Sequence, residues 1–265
     1  MFLSCFSACF NTCKPATGAI SHAATWLVSG TRDLKYIRKR SEFKSSPDEE
    51  IAIYCVHGTA DRRSSFSKLI SRMLPSLPSQ VTSINLVSFE KRAQGKDIKC
   101  FAEQLKNKVA LGKHKNVIVM GHSRGGLVAS YFAENLAKEI GVNILQVVCI
   151  SSPLGGSHLA VFPFSYFSSS VSQMKIDSVF LDGLSKQIKK SSARYIYFAA
   201  EKDNLVSVDK TYVQESDKQQ RLIILDNHGH LSIMTSVRLA AHINETIIEA
   251  ARGISKPDSY SYGTF

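Results

Sequence analysis

Long apolar runs are scarce in this chain of 265 residues. The apolar opening, Met1 to Phe10, is about half of the roughly twenty residues that a bilayer-crossing helix needs. A disulfide framework is also missing. Of the six cysteines, Cys5, Cys9 and Cys13 recur every four residues, while Cys55, Cys100 and Cys149 are scattered. Two of the scattered ones fall in predicted strands, where a thiol acts as a small buried hydrophobe, and this usage favours a reducing compartment. No paired ligand segment stands elsewhere to complete a metal site with the cysteine trio. No internal repeat is visible, which argues for one domain rather than an array. Acidic residues are few, 22 against 33 Lys and Arg, leaving a formal net charge of +11. The basic run from Lys35 to Arg40 contains one aromatic, Tyr36, and no recognisable nucleic-acid module surrounds it, so nucleic acid is set aside as a partner.

What is present is the composition of a single soluble globular domain, 44% hydrophobic and 21% charged, long enough to bury one sizeable core. Apolar runs at Ile51–Val56, Ile84–Phe89, Val117–Met120, Leu145–Ile150, Tyr195–Ala200 and Leu222–Leu225 alternate with helical or loop stretches. That alternation predicts a mostly parallel sheet of about six strands flanked by helices, an α/β architecture. The region before Ile51 offers no convincing strand.

The stretch from Asn116 to Ala137 reads as buried strand, glycine-flanked serine, then helix. In the pattern Gly121-His122-Ser123-Arg124-Gly125 the serine sits on a sharp turn at a strand's carboxyl end, which only small neighbours permit. Leu127, Val128, Tyr131, Phe132, Leu136 and Ile140 then recur at helical spacing. The helix amino terminus brings unpaired N–H groups and partial positive charge beside the serine oxygen. A serine hydroxyl needs a base to take its proton, and the base needs a carboxylate to fix its tautomer. The acid candidates after the strand at Tyr195–Ala200 are Glu201, Asp203 and Asp209, with Asp226 further on; the base candidates are His228 and His230. The order serine, acid, histidine has each group at a strand's carboxyl end, where open parallel sheets place their sites.

Four segments, IAIYCVHGTA, VIVMGHSRGGLVA, ISSPLGGSHLA and the pair AAEKDNLV with DNHGHLSI, resemble those of α/β-hydrolases of the lipase and esterase type, over roughly residues 51–248. The resemblance implies Ser123 as nucleophile. It implies His230 as base, from the Gly-His-Leu-Ser setting, and Asp203 as acid, from the pattern aspartate, any residue, Leu or Val, Val. It also implies an oxyanion hole from the backbone N–H groups of Thr59, after His57-Gly58, and of Arg124. His57 and His122 are read as shaping the oxyanion loop and the elbow. The segment T-P-H-x-G of such enzymes is matched by Ser152-Pro153-Leu154-Gly155-Gly156 with leucine in place of histidine. The expected activity is hydrolysis of carboxylic esters, above all lipid esters, with no metal or organic cofactor. An acyltransferase using the same trio and a non-catalytic membrane-binding protein on the same fold remain open at this point.

Residues 47–252 form the expected hydrolase domain. Residues 157–192 turn aromatic and serine-rich where such enzymes insert a small cap, with an ordinary helical crossover as the competing reading. Residues 1–46 form an apolar and basic leader holding Lys14, Arg32, Lys35, Arg38, Lys39, Arg40 and Lys44 against Asp33 and Glu42, a balance of +5. A basic segment beside an apolar one is attracted to anionic lipid headgroups, at about 1 kcal/mol per charge. Acylation of the cysteine trio or shallow insertion would suit a lipid-directed enzyme, and a short helix docked on the hydrolase domain is the third reading of the opening. The expected location is therefore cytoplasmic and peripheral on membranes. Secretion is the alternative, with Ser21-His22-Ala23 as a cleavage site. A monomer with a mobile tail over residues 253–265 is expected.

Overall fold

The computed structural model describes residues 32–38, 46–59, 61–89, 95–157, 169–214 and 220–254. The apolar opening with its cysteine trio, the aromatic run at 162–167 and the tail beyond Ile254 lie outside the described residues.

Seven strands form one sheet: β1 (Leu34–Ile37), β2 (Ile51–Val56), β3 (Val81–Val87), β4 (Asn116–His122), β5 (Asn143–Ile150), β6 (Arg194–Ala200) and β7 (Gln220–Leu225), in the order β1-β3-β2-β4-β5-β6-β7. All pairings are parallel except that of β1 with β3. The six strands expected from the apolar runs are therefore present, each within a few residues of its expected bounds. The seventh, β1, corrects the expectation that nothing before Ile51 forms a strand. It is four residues long, and only Leu34 and Tyr36 turn toward the core while Lys35 and Ile37 face solvent. Two inward positions among basic neighbours carry too little period-2 signal to read. Tertiary contacts hold β1 in place: Asp33 accepts from the Ser88 amide at 2.7 Å and pairs with Lys108 at 2.7 Å.

The central strands are buried on both faces because their side chains alternate between two apolar layers. Ala52, Tyr54, Val56, Val117, Val119, Val147 and Cys149 face one side. Ile51, Ile53, Cys55, Ile118, Met120, Val148 and Ile150 face the other. Helices α1 (Ser67–Met73), α2 (Ile98–Gly112), α3 (Arg124–Tyr131), α4 (Ser169–Gln173), α5 (Val179–Lys189) and α6 (Val237–Ile254) cover the sheet. Buried residues of α2, α3 and α5 pack on the first face, and those of α1 and α6 on the second.

Helical spacing after the elbow runs on to Ile140, but the regular α-helix stops at Tyr131. A π turn, Phe132–Leu136, and a 3-10 turn, Ala137–Ile140, continue it to Gly141 at φ 66°. Within the expected cap region, α5 starts at Ser178, whose hydroxyl accepts from the Leu181 amide at 3.2 Å and donates to the Gln173 carbonyl at 2.7 Å. Met174, Leu181, Leu184 and Ile188 join the core, Phe180 stacks on Tyr131 and Val179 stands in solvent. The described part of this region thus packs as a crossover between β5 and β6.

Going from β3 to β4 the chain crosses over β2, so the strand order reverses between β2 and β4. The carboxyl ends of β2 and β4 flank that switch point, and those of β5, β6 and β7 lie along the same side of the sheet, the usual place for a ligand crevice.

Candidate active site

At the end of β4, Ser123 adopts φ 54° and ψ −128°, a left-sided conformation that costs a non-glycine residue about 1–3 kcal/mol. The turn is held from both sides: the Ser123 amide donates to the Ile150 carbonyl of β5 at 2.9 Å, and the Gly126 amide donates to the Ser123 carbonyl at 3.0 Å. Close approach of main chain explains the two motif glycines. A Cβ on Gly121 would stand 2.3 Å from the Gly125 carbonyl carbon, and one on Gly125 would stand 2.1 Å from the Val56 oxygen. Gly126, outside the pattern, is equally confined, with the Ser152 hydroxyl 1.9 Å from the Cβ position. The result is a half-buried serine raised above the first turn of α3.

The end of β2 comes down beside this elbow. A Cβ on Gly58 would lie 3.0 Å from the Ser123 Cβ, so the exposed Thr59 stands one residue from that contact. His57 is buried, its Nδ1 3.0 Å from the Gly58 carbonyl and its ring against Phe89.

The loops after β6 and β7 bring Asp203 and His230 together. Nδ1 of His230 donates to Oδ2 of Asp203 at 2.8 Å, and the Asp203 side chain is fully buried. The other oxygen, Oδ1, accepts from the amides of Leu205 and Val206, each at 2.9 Å. With Nδ1 occupied, Nε2 is the nitrogen of His230 left for proton transfer. Gly229 gives its amide to the Ser232 hydroxyl at 2.9 Å, and the Lys202 amide donates to the His228 carbonyl at 2.8 Å, which joins the two loops. His228 turns its Nδ1 to the Asp226 carbonyl of its own loop. Among the other acid candidates, Glu201 accepts from the Asn227 amide, Asp209 lies beside Lys210 and Asp226 pairs with Arg238.

Burial by itself would raise the Asp203 carboxyl. The hydrogen bond and charge of His230, with the Val206 and Leu205 amides, outweigh it and hold the group below its ordinary value. The unfolded chain therefore binds this proton more readily than the native one. The Asp203 contribution to stability is whole above the unfolded value near 4 and is lost as pH falls through the lower native value. In urea titrations the stability gap between the natural chain and Asp203→Asn should narrow between pH 6 and pH 3. A gap independent of pH would mean that this carboxylate is not held by its partners.

Cys149, although central, is no competing nucleophile: burial raises its thiol to about 12, and burial likewise pushes Cys55 well up. Among the described residues no group of three or more His, Cys, Asp or Glu could hold a metal ion, and no helix is long and apolar enough to cross a membrane.

Two features of the site escape sequence reasoning. The Arg124 side chain is buried, with its guanidinium carbon 4.3 Å from the Phe101 ring centre and Nη1 donating to the Ser170 hydroxyl at 3.0 Å, so the elbow is tied to α4. A lone cation inside an apolar stretch was the available signal. Ser151, at the end of β5, takes φ 45° and is wholly buried beside the elbow strand; no local motif marks it.

A seven-stranded, mostly parallel sheet with a strained serine after a central strand and an aspartate–histidine pair at the same edge has the α/β-hydrolase fold. By sequence, residues 25–162 match the family described as a domain of unknown function, DUF7379, and the chain belongs to that family. The matched span holds the elbow and ends before Asp203 and His230. No curated protein matches the sequence. Among solved structures, the mature Bacillus licheniformis lipase BlEst2 is similar at a TM-score of 0.62 and 12% identity, over 83% of this chain and 99% of that one. A peroxisomal alpha-beta-hydrolase of Saccharomyces cerevisiae is similar at a TM-score of 0.59 and 14% identity, over 87% and 84%. A monoacylglycerol lipase of Paleococcus ferrophilus is similar at a TM-score of 0.55 and 14% identity, over 85% and 100%. At these identities the likeness establishes the fold alone.

Proposed function

We propose that this protein is a serine hydrolase of carboxylic esters, directed at lipid esters. The observation that carries the reading is the 2.8 Å bond between the His230 Nδ1 and the buried Asp203, at the sheet edge where the strained Ser123 stands. Ser123 Oγ attacks the ester carbonyl as Nε2 of His230 takes its proton, while Asp203 holds the imidazole and stabilises the imidazolium. The backbone N–H groups of Thr59 and Arg124 receive the oxyanion. Collapse of the tetrahedral intermediate breaks the bond to the leaving oxygen, which His230 protonates, and leaves an acyl group on Ser123. Water, deprotonated by the same imidazole, then releases the carboxylic acid and restores the serine. The scheme uses no metal and no organic cofactor.

Support for lipid esters comes from the names of two neighbours, a lipase and a monoacylglycerol lipase. The basic leader adds a second support, since its described part sets Lys35 beside Ile37, which is 68% exposed on the edge strand. A membrane-peripheral location follows from the same attraction. The test is an activity profile over p-nitrophenyl esters of graded acyl length, with and without phosphatidylserine vesicles. Turnover is expected to rise from acetyl toward longer chains and to rise further on vesicles at low salt. Preference for acetyl esters with indifference to vesicles would reduce the protein to a small-ester esterase. Acyl transfer to an added lipid acceptor in place of hydrolysis would make it an acyltransferase.

A further inference from the structure

We infer that His122, the residue before the nucleophile, is a positioning residue that clamps the base loop and the oxyanion loop to the elbow. Its kinetic consequence rests on the hydrolase reading, whereas the clamp itself does not. The His122 side chain is 1% exposed and meets two loops at once. Nε2 is 2.9 Å from the main-chain oxygen of His230, and the two rings lie 5.0 Å apart between centroids at 43°. On its other side, Nδ1 faces Oδ2 of Asp61 at 3.8 Å and lies 3.6 Å from the position a Cβ on Gly58 would occupy. Asp61 is itself 7% exposed in its side chain and accepts from the Arg62 amide at 2.8 Å, which orients its carboxylate.

A carbonyl oxygen can only accept, so Nε2 of His122 carries a proton and donates it to this bond. That nitrogen is committed to holding the base loop. The need for such a clamp follows from where the loop sits. It leaves β7, the outermost strand, whose residues are mostly half-buried or exposed, and its buried anchors, Ile233 and Met234, come only after His230. Its other attachments run to its own turn, Ile233 amide to Gly229 carbonyl at 3.1 Å, to the end of β6, to α6 through Asp226 and Arg238, and to α1 through Arg72, which donates to the Thr235 carbonyl. The bond from His122 ties it to the strand that carries the nucleophile. Displacing a catalytic group by about 1 Å can cost on the order of a hundredfold in rate, so a bond that fixes the main chain of His230 acts on kcat without touching substrate.

The test compares His122→Leu, His122→Asn and His122→Gln. Glutamine places an amide donor the same number of bonds from the backbone as Nε2, asparagine falls one bond short, and leucine has no donor. Amide hydrogen exchange at Ile233 and Met234 reads the loop, and kcat and KM on a p-nitrophenyl ester read the site. Leu and Asn are expected to speed exchange at these amides and to lower kcat by about 10- to 100-fold with KM nearly unchanged, while Gln stays within about threefold on both. The asparagine variant keeps a polar side chain and carries the test if leucine does not fold. Unchanged exchange in the Leu and Asn variants, or a Gln variant as impaired as Leu, would overturn the clamp. Faster exchange with kcat intact would overturn its positioning role. Should the natural chain turn over no ester, the hydrolase reading fails, and exchange alone still decides whether the clamp exists.

Discussion

Ser123→Ala is expected to lower kcat on a p-nitrophenyl acyl ester by about 10⁴- to 10⁶-fold while the protein remains folded. The size of the effect follows from the role proposed for the serine: without its oxygen no acyl-enzyme could form, and the residual rate would come from oxyanion binding and substrate placement alone. The fold should not suffer. Alanine has no γ-oxygen to lose elsewhere, and the bonds that hold the turn are made by the main chain of Ser123, from its amide to Ile150 and to its carbonyl from Gly126. A fluorophosphonate probe should label the natural chain at Ser123 and leave the alanine variant unmodified, which also separates an enzyme from a binding protein on the same fold. Combining Ser123→Ala with His230→Ala should cost little beyond the single change if the two groups act as the proposed unit. Turnover undiminished in the alanine variant would end the assignment.

Gly125→Ala is expected to be the most damaging single methyl in the described structure. Its Cβ would stand 2.1 Å from the Val56 oxygen, 2.7 Å from the Val56 carbonyl carbon and 2.8 Å from the His57 oxygen. All three are main-chain atoms of β2 and the oxyanion loop, so no side chain can swing aside, and the first turn of α3 must lift off the sheet. Overpacking of this kind costs about 3 kcal/mol or more, a fall in Tm on the order of 10 °C for a chain of this size. Activity should fall with it, because the displaced turn carries Ser123 and Arg124. Gly183→Ala is the control. That glycine lies within α5, where a Cβ meets nothing within 4 Å, so alanine should raise stability by about 0.5–1 kcal/mol through helix propensity. A Gly125→Ala protein with unaltered Tm would mean that α3 is not seated on β2 as described.

Much of the fold was legible because its signals are local. Strands buried on both faces read as apolar runs, and Ile51–Val56 agrees to the residue. The elbow was legible because the sharp turn demands glycine at positions 121 and 125. β1 was not, since its four residues offer only two inward positions and its place depends also on pairing with β3 and on Asp33 meeting Ser88 and Lys108. The cap region illustrates the same limit: Met174 and Leu184 were as apolar as a substrate lining would be, and only packing shows that they belong to the core.

The candidate site divides the same way. Sequence alone determined that a serine stands on a strand-to-helix turn, and that an acid and then a histidine follow at later strand ends, because each of these facts is written within a dozen neighbouring residues. Read from the residues alone it left four carboxylates and two imidazoles as candidates, among which the resemblance pointed to Asp203 and His230. Tertiary structure decided which of them meet, pairing Asp203 with His230 across 27 positions and turning His228 back onto its own loop. It also put His122 between the loops of Gly58 and His230, and Arg124 beneath Ser170. Which groups meet across loops depends on how the strands stack side by side and on the direction each buried side chain must take to satisfy its hydrogen bonds, and neither is encoded in any single stretch of chain.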